Sequence, residues 1–154
     1  MAKLLPVDTF DLIIFGGTGD LAMRKLLPAL YHREGDGQLT GDSRIIAASR
    51  GDLSREEYLA RVEEALRENL REGEFEGPQW ARMRDRIHYA QCDALAPGQW
   101  HALVEILAGF EDRVRVAYLA TAPSLFGPIA KGLRHNNLIN DSSRIVLEKP
   151  LGRD

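Results

Sequence analysis

The sequence predicts an α/β fold, a doubly wound parallel sheet with helices on both faces. Short apolar runs alternate with amphipathic stretches along the chain, and the first run stops at a glycine-rich turn. The candidate binding motifs fall at the carboxyl ends of predicted strands, where such sheets place their ligands. The first strand is read over Phe10–Phe15, nearly continuous in apolar residues, as suits a strand covered on both faces. Further strands are read over 44–49, 86–91 (the weakest pattern), 114–120 and 144–147. Right-handed crossovers favour the order 3-2-1-4-5.

Each connection carries its own punctuation. Ser54 and Glu57 have the spacing of a capping box, and Leu59, Val62, Leu66 and Leu70 behind them share one helical face. Gly73 is the expected stop, and Gly77-Pro78 opens a short connection holding Trp80 and Met83. Pro97 starts a helix that turns Trp100, Leu103, Val104 and Leu107 inward. Ser124 is the expected cap of the next, with Phe126, Ile129 and Leu133 inward and Asn136-Asn137 ending it. With no repeat, low-complexity tract or linker, residues 1–154 read as one domain.

Composition narrows the classes of function. A net charge of -3, from 20 basic and 23 acidic residues, argues against a nucleic-acid partner, whose binders carry a basic face. Cys92 stands alone, so it forms no intrachain disulfide or cysteine metal cluster and reads as a small buried hydrophobe. No run approaches the ~20 apolar residues of a membrane span, and Met1 to Pro6 lacks the apolar core of a signal peptide. A cytoplasmic location is the expectation, with no membrane and no metal involved.

The turn itself reads Gly16-Gly17-Thr18-Gly19-Asp20-Leu21-Ala22. A tight strand-to-helix turn requires backbone angles that glycine supplies, and side chains there would block a diphosphate. Backbone N–H groups and the positive end of the helix then hold the phosphates. Asp20 is the expected N-cap. The spacing is G-x-x-G-x-x-A, a looser signal than G-x-G-x-x-G, and its strength comes from the strand-turn-helix context. Arg24 and Lys25 follow, cations near a helix N-terminus that a bound phosphate would make tolerable. Pro28 predicts a kink or restart in that helix.

The exit of the second strand separates two nicotinamide cofactors. An acidic residue there suits a ribose 2′-hydroxyl, whereas an arginine pairs with a 2′-phosphate. The sequence reads Ala48-Ser49-Arg50-Gly51, with no acid closing the strand and Asp52 two residues beyond Arg50. Arg50 therefore points to NADP, at an advantage of roughly 2–3 kcal/mol for a charge-assisted contact.

Taken in order, GGTGDLAMRKLLPALY, IIAASR, YLATAPSLFGPIAKGL and RIVLEKPLGRD resemble the glucose-6-phosphate dehydrogenase family at its N-terminal NADP-binding domain. The resemblance implies a Rossmann-like fold and a whole enzyme that oxidises D-glucose 6-phosphate to 6-phospho-D-glucono-1,5-lactone while reducing NADP, the entry to the pentose phosphate pathway. It places Gly16, Gly17, Thr18, Gly19, Asp20 and Leu21 on the cofactor phosphates and Arg50 on the 2′-phosphate. Asp93 and Ala94 match a segment near the adenine, and Ala120 to Pro123 a turn walling the cofactor. Lys25 and Lys149 match catalytic lysines, Lys149 touching substrate and cofactor, and Pro150 matches a cis proline. Glu148 is the expected ion-pair partner of Lys149.

The departure from the family concerns the catalytic base, a histidine in an Arg-Ile-Asp-His-Tyr stretch that this sequence does not contain. His32, His88, His101 and His135 are expected to be structural or solvated. A C-terminal α+β domain, which completes the sugar site and the homo-oligomer contacts, is likewise expected to lie outside this chain. Weak NADP binding without turnover is the expectation for these residues alone. Two alternatives stand beside this: another Rossmann reductase, disfavoured because no tyrosine is followed by Lys at Tyr-x-x-x-Lys spacing, and a freestanding NADP-binding or sensor module. Continuation of the reading frame past Asp154 would separate the module from the dehydrogenase.

Overall fold

In a computed structural model describing residues 8–147, strands β1 (Phe10–Phe15), β2 (Arg44–Ser49), β3 (Ile87–Gln91), β4 (Val114–Leu119) and β5 (Arg144–Leu147) form one sheet. All four pairings are parallel and the order is β3-β2-β1-β4-β5, as the sequence predicts. The winding reverses between β2 and β4, on either side of β1, so the carboxyl end of β1 opens into a crevice.

Alternation along β1 builds the two core layers. Leu12 and Ile14 pack with α1 (Leu27–Gly35), α2 (Arg55–Asn69) and α3 (Gly77–Arg86). Ile13 and Phe15 face the opposite side, against α4 (His101–Leu107) and α5 (Phe126–His135). Every β1 residue is buried, which accounts for its near-continuous apolar run. β5, at the edge, is covered far less: Ile145 and Leu147 are 41% and 53% exposed.

The capping box forms as predicted: Glu57 N–H donates to Ser54 Oγ at 3.0 Å, and Ser54 N–H donates to Glu57 Oε1 at 2.8 Å. Leu59, Val62 and Leu66 are buried behind it, joined by Tyr58 and Ala65. Pro28 also acts as expected. Residues Ala22–Leu26 form a π-helical turn in which Leu27 N–H reaches back to the Ala22 carbonyl, and α1 restarts with Pro28 in its first turn. Proline has no amide for a carbonyl four residues back and its ring would crowd that carbonyl, and the widened turn relieves the conflict.

Several local expectations are corrected. The Gly19 carbonyl accepts the Met23 amide at 3.0 Å, so Gly19 takes the N-cap place. Asp20 instead lies inside the helix, and its carboxylate pairs with Arg24 at 3.2 Å. Residues 77–86 are the helix α3, with Pro78 in its first turn and Trp80 and Met83 inward. The third strand begins only at Ile87, because Arg86 still belongs to α3. Ser124 caps nothing: it lies within a 3-10 turn, Pro123–Leu125, which leads into α5 without a side-chain cap. The helix that Pro97 was to start is a 3-10 turn, Pro97–Gln99, followed by α4. α2 stops at Asn69, whose side-chain amide donates to the Ala65 carbonyl at 2.8 Å, and Gly73 sits in the following turn at φ +86°. At the end of α5, Asn136 is the C-cap and Asn137 adopts φ +56°.

One buried charge cluster has no counterpart in the sequence reading. Asp11, fully buried in β1, accepts a bidentate pair of bonds from Arg44 at 2.9 and 2.6 Å and a third from Arg113 at 3.1 Å. Both guanidinium groups lie over the Phe110 ring, at 3.7 and 4.8 Å from its centroid. The cluster ties β1, β2 and the entry to β4 together at the amino end of the sheet, opposite the crevice.

Candidate functional site

The crevice beyond β1, β2 and β4 is a cleft of about 860 Å³. That lies within the size range of small-molecule and cofactor sites. Its floor is the glycine turn, one rim is the β2 exit at Ser49, Arg50 and Gly51, and the far wall runs from Ala120 to Ala122. Cys92, Asp93, Ala94 and Leu95, just past β3, close one end.

The glycines are required by the protein's own packing as much as by a ligand. Gly16 has φ +81°, and a Cβ there would sit 2.4 Å from the Ala120 carbonyl oxygen. At Gly17 a Cβ would meet the Ala47 Cβ at 2.7 Å. The amides of Gly16 and Gly17 both donate to the Ala48 carbonyl, at 2.9 and 3.2 Å, and Gly19 N–H donates to the Gly16 carbonyl at 3.0 Å. Three glycine amides are thus spent, two holding the turn against β2 and one closing the turn on itself. The donors left for a ligand are those of Thr18, which lacks a backbone partner among the described residues, and of the helix's first turn, Asp20 and Leu21. This cradle fits a diphosphate: glycine-lined, with unspent amides at a helix N-terminus.

Of the predicted site residues, Gly16, Thr18, Gly19, Arg50, Asp93, Ala94 and Ala120 line the cleft. Gly17 is buried beneath it, and Asp20 faces a neighbouring groove with Arg24 and Arg61. Leu21 packs against the core and Lys25 is exposed on the π turn, both off the cleft lining. Glu148, Lys149 and Pro150 lie outside the described residues. Asp93 folds back locally, its carboxylate accepting the Leu95 amide at 2.9 Å.

None of the four histidines lines the cleft. His88, half-buried in β3, is held below the usual imidazole range by burial and by the nearby Arg44 and Arg55 charges. The Cys92 thiol is pushed up to about 12, first by burial and then by Asp93, so it is neutral and inert near neutral pH.

Three features of the site were not anticipated. Leu95, 66% exposed, stands at the mouth of the cleft, and Leu125 and Ile129 give its wall an apolar strip. Ile129 was visible only as an inward residue of its helix. Behind the cleft, Tyr58 donates to the Gly17 carbonyl at 2.8 Å and stacks on Tyr89, ring centroids 5.1 Å apart.

Among the described residues no helix is long and apolar enough to cross a membrane, and no group of three or more His, Cys, Asp or Glu could hold a metal ion.

Comparison with known proteins agrees with this geometry. The sequence model described as "Glucose-6-phosphate dehydrogenase, NAD binding domain" matches residues 13–154. Glucose-6-phosphate 1-dehydrogenases of Rhizobium meliloti and Gluconobacter oxydans are 46% and 49% identical, each over 99% of this chain. The chain spans 31% and 32% of the length of those relatives. A crystal structure of the Mycobacterium avium glucose-6-phosphate 1-dehydrogenase superposes with a TM-score of 0.82 at 32% identity, over 95% of this chain and 31% of that one. A glucose-6-phosphate dehydrogenase in complex with its substrate glucose-6-phosphate gives 0.80 at 26%, over 96% and 31%. Sequence, sheet order and cleft converge, and the chain belongs to the glucose-6-phosphate dehydrogenase family, in its NAD-binding domain.

Proposed function

We propose that the cleft binds NADP and that these residues form the cofactor-binding domain of a glucose-6-phosphate 1-dehydrogenase. The observation that carries the reading is the pairing of a glycine cradle with an exposed arginine on one cleft: Gly16, Gly19 and the unspent amide of Thr18 on its floor, Arg50 on the rim. The first suits a diphosphate. The second suits a ribose 2′-phosphate, which an acid at the same place would repel. Asp93 and Ala94 are proposed to border the adenine, and Ala120 the nicotinamide side.

Held by the glycine turn and Arg50, NADP would supply the hydride acceptor for oxidation of D-glucose 6-phosphate at carbon 1 to 6-phospho-D-glucono-1,5-lactone in the whole enzyme. Lys25 and Lys149 are the proposed catalytic lysines, cations that hold and orient the anionic sugar beside the cofactor. The proton acceptor is proposed to lie outside this chain, because a base must reach the hydroxyl it deprotonates and the cleft lining holds no histidine. The same reading makes residues 1–154 one domain, places a substrate and oligomer domain beyond them, and expects a cytoplasmic homo-oligomer for the whole protein.

Calorimetric titration with NADP and NAD tests the assignment. Arg50→Ala should weaken NADP by roughly 30- to 150-fold, matching 2–3 kcal/mol, and leave NAD nearly unchanged. Equal losses for the two would remove NADP selection from Arg50.

A further inference from the structure

Arg50 reaches its place on the rim through a loop with few anchors. An arginine side chain turns about several single bonds, so where its guanidinium spends its time depends on where the backbone holds its Cα. Among the described residues, the hydrogen bonds that reach the Arg50 and Gly51 backbone both come from side chains of β3. Gln91 Nε2 donates to the Arg50 carbonyl at 3.0 Å. Tyr89 donates its single hydroxyl proton to the Gly51 carbonyl at 2.6 Å, and its oxygen then accepts from Ser49 Oγ at 2.6 Å. Neither Tyr89 nor Gln91 lines the cleft. The ring of Tyr89 stacks on Tyr58, and the Tyr58 hydroxyl holds the Gly17 carbonyl of the glycine turn. One stacked tyrosine pair thereby braces both halves of the cleft from behind.

We propose that Tyr89 and Gln91 are positioning residues for cofactor selection: they fix the β2 exit loop so that Arg50 meets the 2′-phosphate without having to be ordered on binding. This rests on the reading of Arg50 given above. A loop already set in its bound form avoids the ordering cost that a loose loop pays at the moment of binding. That saving accrues only to a ligand that Arg50 touches. Tyr58, acting on the glycine turn, serves the diphosphate common to NADP and NAD, so its effect should not discriminate between them.

The test titrates the 154-residue chain with NADP and with NAD, for the parent and for Tyr89→Phe, Gln91→Met, Tyr58→Phe, Arg50→Ala and the double variant Arg50→Ala/Tyr89→Phe. Circular dichroism checks the fold of each, and Gln91→Met keeps the test alive if Tyr89→Phe does not fold. Tyr89→Phe and Gln91→Met should each weaken NADP roughly fivefold, the value of one neutral hydrogen bond, and leave NAD unchanged. Tyr58→Phe should weaken both cofactors by the same factor. In the Arg50→Ala background the effect of Tyr89→Phe on NADP should vanish, because the loop then has nothing to present. Equal losses of NADP and NAD in Tyr89→Phe and Gln91→Met, or an NADP loss that persists without Arg50, would overturn the proposal. If Arg50→Ala itself weakens both cofactors alike, the reading of Arg50 fails and the proposal falls with it. If Arg50→Ala is selective and neither β3 variant is, the proposal fails alone.

Discussion

Gly16 offers a test in which backbone conformation and steric fit are separable. Gly16 and Gly73 have nearly the same φ, +81° and +86°, but different surroundings. A Cβ at Gly73 meets nothing within 4 Å, whereas at Gly16 it lands 2.4 Å from the Ala120 carbonyl oxygen and 3.0 Å from Thr121 Cγ2. Gly73→Ala should therefore cost only the left-handed conformation, about 1–2 kcal/mol before a small gain from a stiffer unfolded chain. Gly16→Ala carries that cost and an overpacking cost of about 1–3 kcal/mol as well. The obstructing atom cannot swing aside, since the Ala120 amide is itself bonded to the Phe15 carbonyl at 2.9 Å. The total for Gly16→Ala, about 2–5 kcal/mol, corresponds to a fall in Tm of very roughly 5–15 °C for a chain of this size. Urea unfolding of both variants beside the parent measures the difference directly. If Gly16→Ala loses no more stability than Gly73→Ala, the packing of the turn against the β4 exit is not what demands glycine, and the account of the turn is wrong.

The remaining predictions concern Asp11, at the end of the sheet opposite the cleft, and Cys92, at one end of the cleft. Asp11→Ala removes the shared acceptor of two arginines and leaves their charges at 12% exposure, so it should cost about 3–5 kcal/mol in urea unfolding. Loss under 1 kcal/mol would show that the cluster is not held together by that carboxylate. Cys92 should resist iodoacetamide at pH 8 in the folded chain and react fully in denaturant; rapid labelling of the native chain would refute its burial. Its linkage runs one way. The folded thiol titrates near 12 and the unfolded one near 9.0, so above pH 9 the unfolded chain releases a proton that the folded chain keeps, and stability falls. Cys92→Ala should flatten that alkaline decline, and an unchanged slope would assign it to other groups.

The sheet is legible because β1, β2, β4 and β5 are short, mostly apolar runs, with β3 a weaker one that follows directly on α3, and handed crossovers leave few ways to arrange them. The capping box was legible because both of its bonds join residues three apart. Contacts made across the fold were not legible. Asp11 sits inside an apolar run and meets partners 33 and 102 residues away, so nothing local marks it as paired. Tyr89 reaches Gly51 only because the parallel register sets Ser49 beside Gln91, a match that periodicity alone leaves undefined. The stretch opened by Gly77-Pro78 reads as a connection in the sequence because its helix opens on Gly-Pro and buries just Trp80 and Met83, too few apolar positions to show a period. In the glycine turn the spacing pointed to the right bend, but not to how its amides are shared between Ala48 and the ligand side.

The two margins of the sheet are finished differently. At β3, Arg55 of α2 caps the start of the border, its guanidinium donating to the Ile87 carbonyl at 2.7 Å and to the Arg84 carbonyl at 2.7 Å. At β5, no further strand is paired among the described residues, and Ile145 and Leu147 hold their methyl groups toward solvent. A margin with both free backbone groups and bare hydrocarbon is a template on which another strand can be laid, satisfying both at once. An added strand would therefore meet a charged side chain at the start of β3 and bare hydrocarbon along β5.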